Sequence, residues 1–145
     1  MNIYFICTGN TCRSPMAEAI LKNKNLQNVE VSSAGVFAQD GGELSRNAQT
    51  VLMQNDIEVD HTTSAIDAEK LAKADLILTM TLGHRQAVLQ AYPAVADKTF
   101  TLKEYVDASN YDVSDPYGGS VEVYRQTFKE LQQLIDALQL KILEE

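Results

Sequence analysis

The segment that most restricts how this chain can fold is its start. Residues 2–6 form an apolar run rich in β-formers; it leads directly into Cys7-Thr8-Gly9-Asn10-Thr11-Cys12-Arg13-Ser14, and Pro15 then opens the helical stretch MAEAILKNK. Proline suits the first turn of a helix, where its missing N–H has no partner to lose. Strand, tight loop and helix in that order make the first part of a βαβ unit, and the rest of the chain continues the alternation. Residues 29–34 read as a strand ending at Gly35, and 43–55 as a helix with Leu44, Ala48, Val51 and Leu52 at helical spacing. Residues 65–74 read as a shorter helix and 75–80 (DLILTM) as a strand apolar enough to be covered on both faces. A helix over 84–91 should stop near Pro93, with a last strand over 99–102. From Gly119 onwards Val123, Phe128, Leu131, Leu134, Ile135, Leu138 and Ile142 share one stripe of a long closing helix, and 107–119 (DASNYDVSDPYGG) reads as a functional loop. This order predicts an α/β fold with a parallel sheet covered on both faces. Ligands of such sheets sit beyond the carboxyl ends of the strands, where the Cys7–Ser14 loop falls.

Composition narrows the chemistry. At 145 residues, with 45% hydrophobic and 22% charged, the chain is expected to form one domain. No apolar run approaches the roughly 18 residues of a membrane span, and the start lacks the pattern of a secretory signal, so a cytoplasmic protein without membrane association is expected. Two cysteines and two separated histidines, His61 and His84, give no zinc spacing, so no metal is expected, and neither histidine is read as catalytic. The net charge is −8 and no basic run occurs, which argues against a nucleic-acid partner. Any anion must therefore be recognised locally.

The loop is suited to that task. Gly9 and Asn10 tolerate left-handed backbone, so successive N–H groups can point into one concavity. The following helix adds its positive end, with Ser14 expected as N-cap and Pro15 as first residue. Arg13 supplies a planar fork matching two phosphate oxygens. Cys7 lies at the base, and these groups are expected to depress its pKa below the free value of about 8.5, giving a thiolate at neutral pH. Such a sulfur can attack phosphorus in line while the loop amides and Arg13 hold the equatorial oxygens, with no cofactor required. Ser14 can donate its hydroxyl to the sulfur, and Asn10 is expected to brace the loop. Neither GxxxxGK[ST] nor GxGxxG is present.

CTGNTCRSPMAEA, SSAG, ADLILTM, FTLKEY and DPYGG together resemble the low-molecular-weight protein tyrosine phosphatase family over essentially the whole chain. The resemblance implies a three-layer sandwich with a four-stranded parallel sheet between helices. It implies Cys7 as nucleophile, Arg13 as phosphate clamp and Asp115 as general acid and then base, a role that an Asp-Pro on a covering loop fits independently. Thr8, Gly9, Asn10, Thr11, Cys12, Ser14 and Tyr117 are the expected substrate-binding residues. Cys12, on the same curved loop, is read as a disulfide partner for an oxidised Cys7, against the plainer reading of a small buried residue.

Two departures concern the substrate. The family's tyrosine phosphatases usually carry isoleucine where this chain has Thr11, and two aromatics after Asp-Pro where it has Tyr117 and then Gly118. In this the chain looks more like the bacterial subgroup acting on phosphoarginine in proteins. A planar, polar phosphoguanidinium suits the Thr11 hydroxyl and the Asp115 carboxylate, and Tyr117 can stack on it. The expectation is a monomeric protein-arginine phosphatase acting on phosphorylated proteins. The alternatives are a protein tyrosine phosphatase, an arsenate reductase, which would need further cysteines downstream, and a non-catalytic phosphate-binding module.

Overall fold

The computed structural model describes residues 1–144. Residues Ile3, Tyr4, Phe5 and Ile6 are at most 1% exposed, which only a strand covered on both faces achieves. They belong to β1 (Asn2–Cys7), which is followed by α1 (Arg13–Asn23), β2 (Glu30–Gly35), α2 (Arg46–Gln54), α3 (Ala68–Lys73) and β3 (Leu76–Thr79). Then come α4 (Leu82–Ala91), a 3₁₀ turn (Pro93–Lys98), β4 (Thr99–Thr101), the short α5 (Leu102–Tyr105) and α6 (Val121–Leu143). The four strands form one sheet of order β2-β1-β3-β4 with every neighbouring pair parallel. Successive side chains of a strand face opposite ways. Ile3, Phe5 and Cys7 therefore join the core made with α1, α2 and α6, whereas Tyr4 and Ile6 pack with residues of α3 and α4. The three-layer sandwich with a four-stranded parallel sheet is as expected.

The topology places the site. The chain leaves β1 for β2 on one side and reaches β3 on the other, so the carboxyl end of β1 is the switch point at which a crevice opens. Cys7 is the last residue of that strand. The long loop reaches the same end of the sheet, because Val113 N–H donates to the Met80 carbonyl at 2.8 Å, just past β3.

Element ends differ from the sequence reading for local reasons. Expected to start at residue 43, α2 begins at Arg46 because Ser45 is its cap, its hydroxyl accepting from Ala48 N–H. In α3 the Asp67 carboxylate caps the N–H groups of Glu69 and Lys70, which delays the helix to Ala68. Thr81 caps α4, which starts at Leu82 rather than His84. Leu102, assigned to the last strand, instead opens α5, where Thr101 and Glu104 form a reciprocal capping box. On α6 the buried face runs through Tyr124, Phe128, Leu131 and Ile135; Val123, placed on that stripe by the sequence reading, is 38% exposed.

Candidate active site

The loop after β1 turns on one residue rather than two. Asn10 has φ 58°, while Gly9 stays out of the left-handed region. The strained turn is over-determined by the Asn10 side chain, which is fully buried: its amide nitrogen donates to Ser14 Oγ and Ser33 Oγ, each at 2.9 Å, and its amide oxygen accepts from Ser64 N–H at 3.0 Å. It braces the loop, as the sequence suggested. The end of β2 lies directly against this turn. Val36 N–H donates to the Cys7 carbonyl and Phe37 N–H to the Thr8 carbonyl, both at 2.9 Å. That approach requires Gly35, where a Cβ would overlap the Thr8 carbonyl oxygen and lie 2.8 Å from Asn10 N.

Ser14 is not the N-cap of α1, nor is Pro15 its first residue. Helix α1 begins at Arg13 with Cys12 at the cap and no capping side chain, and Ser14 is already inside the first turn. Its hydroxyl is committed elsewhere, 2.7 Å from Cys7 Sγ. Ser14 Oγ also receives the Asn10 amide and lies 3.5 Å from the Ala34 carbonyl. With one hydrogen to give, it can accept from a Cys7 thiol while donating to Ala34, or donate to a Cys7 thiolate. The same serine thus serves both protonation states of the sulfur.

Cys7 is 3% exposed, and that burial pushes its thiol pKa up. The Ser14 hydroxyl, the backbone N–H groups of Ser14 and Asn10, and Arg13 act in the opposite direction. Burial outweighs them, contrary to the sequence expectation of a depressed pKa, which counted the donors and not the desolvation.

Arg13 is buried, with one guanidinium nitrogen donating to the Val113 carbonyl at 3.1 Å and the other 3.6 Å from the Asp115 carboxylate. Arg13 thereby ties the phosphate loop to the long loop. The Asp115 side chain is 56% exposed, and its other oxygen accepts from Tyr117 N–H at 3.1 Å, which turns the Asp-Pro-Tyr segment over the pocket. Cys7, Thr8, Gly9, Thr11, Cys12, Arg13, Asp115 and Tyr117 line one cavity of about 210 Å³. Asn10 and Ser14 do not line it; they act on the sulfur from behind. Tyr117 is 81% exposed at the mouth. Cys12 and Cys7 are both free thiols, and Cys12 Sγ lies 3.2 Å from the Tyr124 hydroxyl and 3.5 Å from Thr11 Oγ1.

Four supporting residues were not found by sequence reasoning as parts of the site. Ser33 Oγ donates to the Glu18 carboxylate at 2.5 Å and carries the brace one step further from Asn10. His61 Nε2 lies 2.9 Å from the Asn10 carbonyl, so this nitrogen carries the proton, while Nδ1 faces Glu18 at 3.9 Å. His84 Nε2 lies 2.8 Å from Thr8 Oγ1. Its pKa is lowered to about 4 by burial and by the Arg13 charge, with Asp112 and Asp115 acting the other way. No spacing rule links residues 18, 33, 61 and 84 to residues 7–14; the fold alone joins them. Among the described residues no group of three or more His, Cys, Asp or Glu side chains is arranged to hold a metal.

A pocket of about 210 Å³ with a buried cysteine at its floor, an arginine in its wall and an aspartate at its rim, at the switch point of a parallel sheet, is an arrangement able to carry cysteine-dependent phosphatase chemistry. The chain belongs to the low molecular weight phosphotyrosine protein phosphatase family, whose model matches residues 2–145. It is 49% identical over 140 residues to a protein-arginine-phosphatase of Geobacillus stearothermophilus, covering 97% of this chain and 95% of that one. It is 43% identical over 138 residues to the low molecular weight protein-tyrosine-phosphatase PtpB of Staphylococcus haemolyticus, covering 95% and 97%. A solved structure of the YwlE arginine phosphatase, a Cys-to-Ser mutant with a phosphorylated active-site serine, superposes with a TM-score of 0.91 at 46% identity, covering 97% of this chain and 96% of that one.

Proposed function

We infer that this chain is a protein-arginine phosphatase that works through a cysteinyl phosphate. The observation that carries the reading is the pocket itself: Cys7 at the base, Arg13 and Asp115 facing each other 3.6 Å apart, and a hydroxyl-bearing Thr11 in the wall with one aromatic, Tyr117, at the mouth. The relatives named above, one an arginine phosphatase with a phosphorylated active-site residue, support the same chemistry.

The steps follow from the contacts. The Cys7 thiolate, its proton given up to solvent, attacks phosphorus while the Arg13 guanidinium and the loop N–H groups hold the three non-bridging oxygens. The S–P bond forms as the P–N bond breaks, and Asp115 protonates the departing guanidine nitrogen. Asp115, now a carboxylate, takes a proton from water as that water attacks the cysteinyl phosphate. The P–O bond forms, the S–P bond breaks, and the Ser14 hydroxyl stabilises the released thiolate. An incoming phosphoryl group displaces the Asp115 carboxylate from Arg13, and the freed carboxylate takes up a proton from solvent in exchange for the one Cys7 releases, which makes it the acid for the leaving group. The reading takes residues 1–145 as one catalytic domain acting as a monomer in the cytoplasm, on protein substrates without nucleic acid.

Trapping the intermediate tests this reading. Rapid quench during steady-state turnover of a phosphoarginine protein, into denaturing alkali in which an S–P bond survives, followed by mass spectrometry should find one phosphoryl group on Cys7. Phosphate elsewhere, or none on Cys7 despite turnover, contradicts the mechanism.

Tyrosine phosphatase activity is the second reading, favoured by the 43% identical relative of that name. It shares every step except the leaving group.

A further inference from the structure

His84 has no part in the steps above, yet its side chain ties α4 to the phosphate loop. It stands in the first turn of the helix, 8% exposed, with Nε2 2.8 Å from Thr8 Oγ1. Thr8 follows the nucleophile directly and lines the pocket. The contact fixes which way a pocket hydroxyl points, because a threonine has one hydrogen to give and its β-branched side chain has few rotamers. The tautomer then determines what Thr8 offers the substrate.

The other ring nitrogen settles the tautomer. His84 Nδ1 is buried and has no hydrogen-bond partner among the described residues. An orphaned buried N–H is rarer in folded proteins than an under-satisfied acceptor, so the lone pair sits on Nδ1 and the proton on Nε2. His84 therefore donates to Thr8 Oγ1. Thr8 Oγ1 has no other partner among the described residues, which leaves its own hydrogen for the cavity.

We propose that His84 is a positioning residue that, by donating from Nε2, turns the Thr8 hydroxyl into an additional donor to the substrate's phosphoryl oxygens. Burial and the neighbouring Arg13 charge keep the imidazole neutral over the working pH range, so the arrangement persists there. The donor acts on the phosphoryl group and not on the leaving group. The proposal thus rests on the phosphatase reading, but holds for an arginine or a tyrosine substrate alike.

A double-mutant cycle with two readouts tests it. Thr8→Val, which removes the hydroxyl at nearly constant shape, and His84→Leu should each lower kcat/KM by roughly ten-fold, as expected for one hydrogen bond to a charged group. Each should weaken competitive inhibition by inorganic phosphate. The double variant should be no worse than Thr8→Val alone, and His84→Gln, whose amide N–H can take the place of Nε2–H, should recover most of the loss. Equal losses from His84→Leu in the wild-type and Thr8→Val backgrounds would overturn the proposal, as would an unchanged kcat/KM in His84→Leu. Nitrogen-15 shifts of His84 in the wild-type protein give a check that needs no variant to fold: protonated Nε2 is expected, and protonated Nδ1 overturns the assignment. Phosphate binding reads the Thr8 hydroxyl without turnover, so failure of the phosphatase reading would show separately.

Discussion

At the scale of single residues, the sulfur of Cys7 is where opposing influences meet. Burial raises its pKa, and the Ser14 hydroxyl 2.7 Å away is the foremost of the groups lowering it. Ser14→Ala removes a lowering influence, so the pH profile of Cys7 alkylation by iodoacetamide should move to higher pH in that variant. A profile that stays in place would mean the hydroxyl does not act on the sulfur. Cys12 belongs to the same scale. If it rescues an oxidised Cys7, peroxide-inactivated wild type should be recovered fully by added thiol and Cys12→Ser should not; equal recovery in both contradicts the redox reading. Cys7, Arg13, Asp115 and the loop between them were legible from the sequence because they lie in two short stretches whose chemistry is local. The Ser14 cap was misread because a serine before a proline fits an N-cap equally well; the contact of its hydroxyl with the sulfur was legible, whereas the amide it receives from Asn10 appears only in the packed structure.

Among elements, the decisive contact is the approach of β2 to the phosphate loop at Gly35. Gly35→Ala would place a methyl group against the Thr8 carbonyl and 2.8 Å from Asn10 N, backbone atoms that cannot swing aside. The loop should lose its anion-binding shape with the rest of the fold retained: kcat/KM down by roughly a hundred-fold or more, since several donors to the transition state are displaced together. Near-normal activity would contradict this account of the loop. On the other side, α6 holds the long loop's return to the core. Leu131 is fully buried on that helix, and Leu131→Ala should cost about 2–5 kcal/mol in urea unfolding while leaving kcat nearly unchanged. Strand and helix order was readable from period and length, because β1 and β3 are covered on both faces and α6 carries a continuous apolar stripe. The starts of α2 and α3 were not, since a capping side chain sets each start and competing polar residues stand nearby.

For the whole molecule, the pH dependence of stability has a readable contribution from His84. Its pKa falls from 6.5 to about 4 on folding, so the unfolded chain takes up a proton that the folded one refuses. The stability this provides is complete above pH 6.5 and is lost as pH falls from there towards 4, up to about 3 kcal/mol. Urea midpoints at pH 7.5 and 4.5 should therefore separate more in wild type than in His84→Gln, and an equal separation would contradict a neutral buried imidazole. The fold also explains why the supporting residues escaped sequence reasoning. Glu18, Ser33, His61 and His84 come from four different segments, and only the switch point of the sheet gathers them behind one loop.

The same gathering leaves the pocket wall to Thr11 and its mouth to Tyr117, the two positions on which the substrate assignment rests. The most direct test is the ratio of kcat/KM for a phosphoarginine peptide to that for the matching phosphotyrosine peptide. The account predicts a ratio well above one in the wild type that falls towards phosphotyrosine in Thr11→Ile. A wild-type ratio below one, or a ratio unmoved by Thr11→Ile, would contradict it.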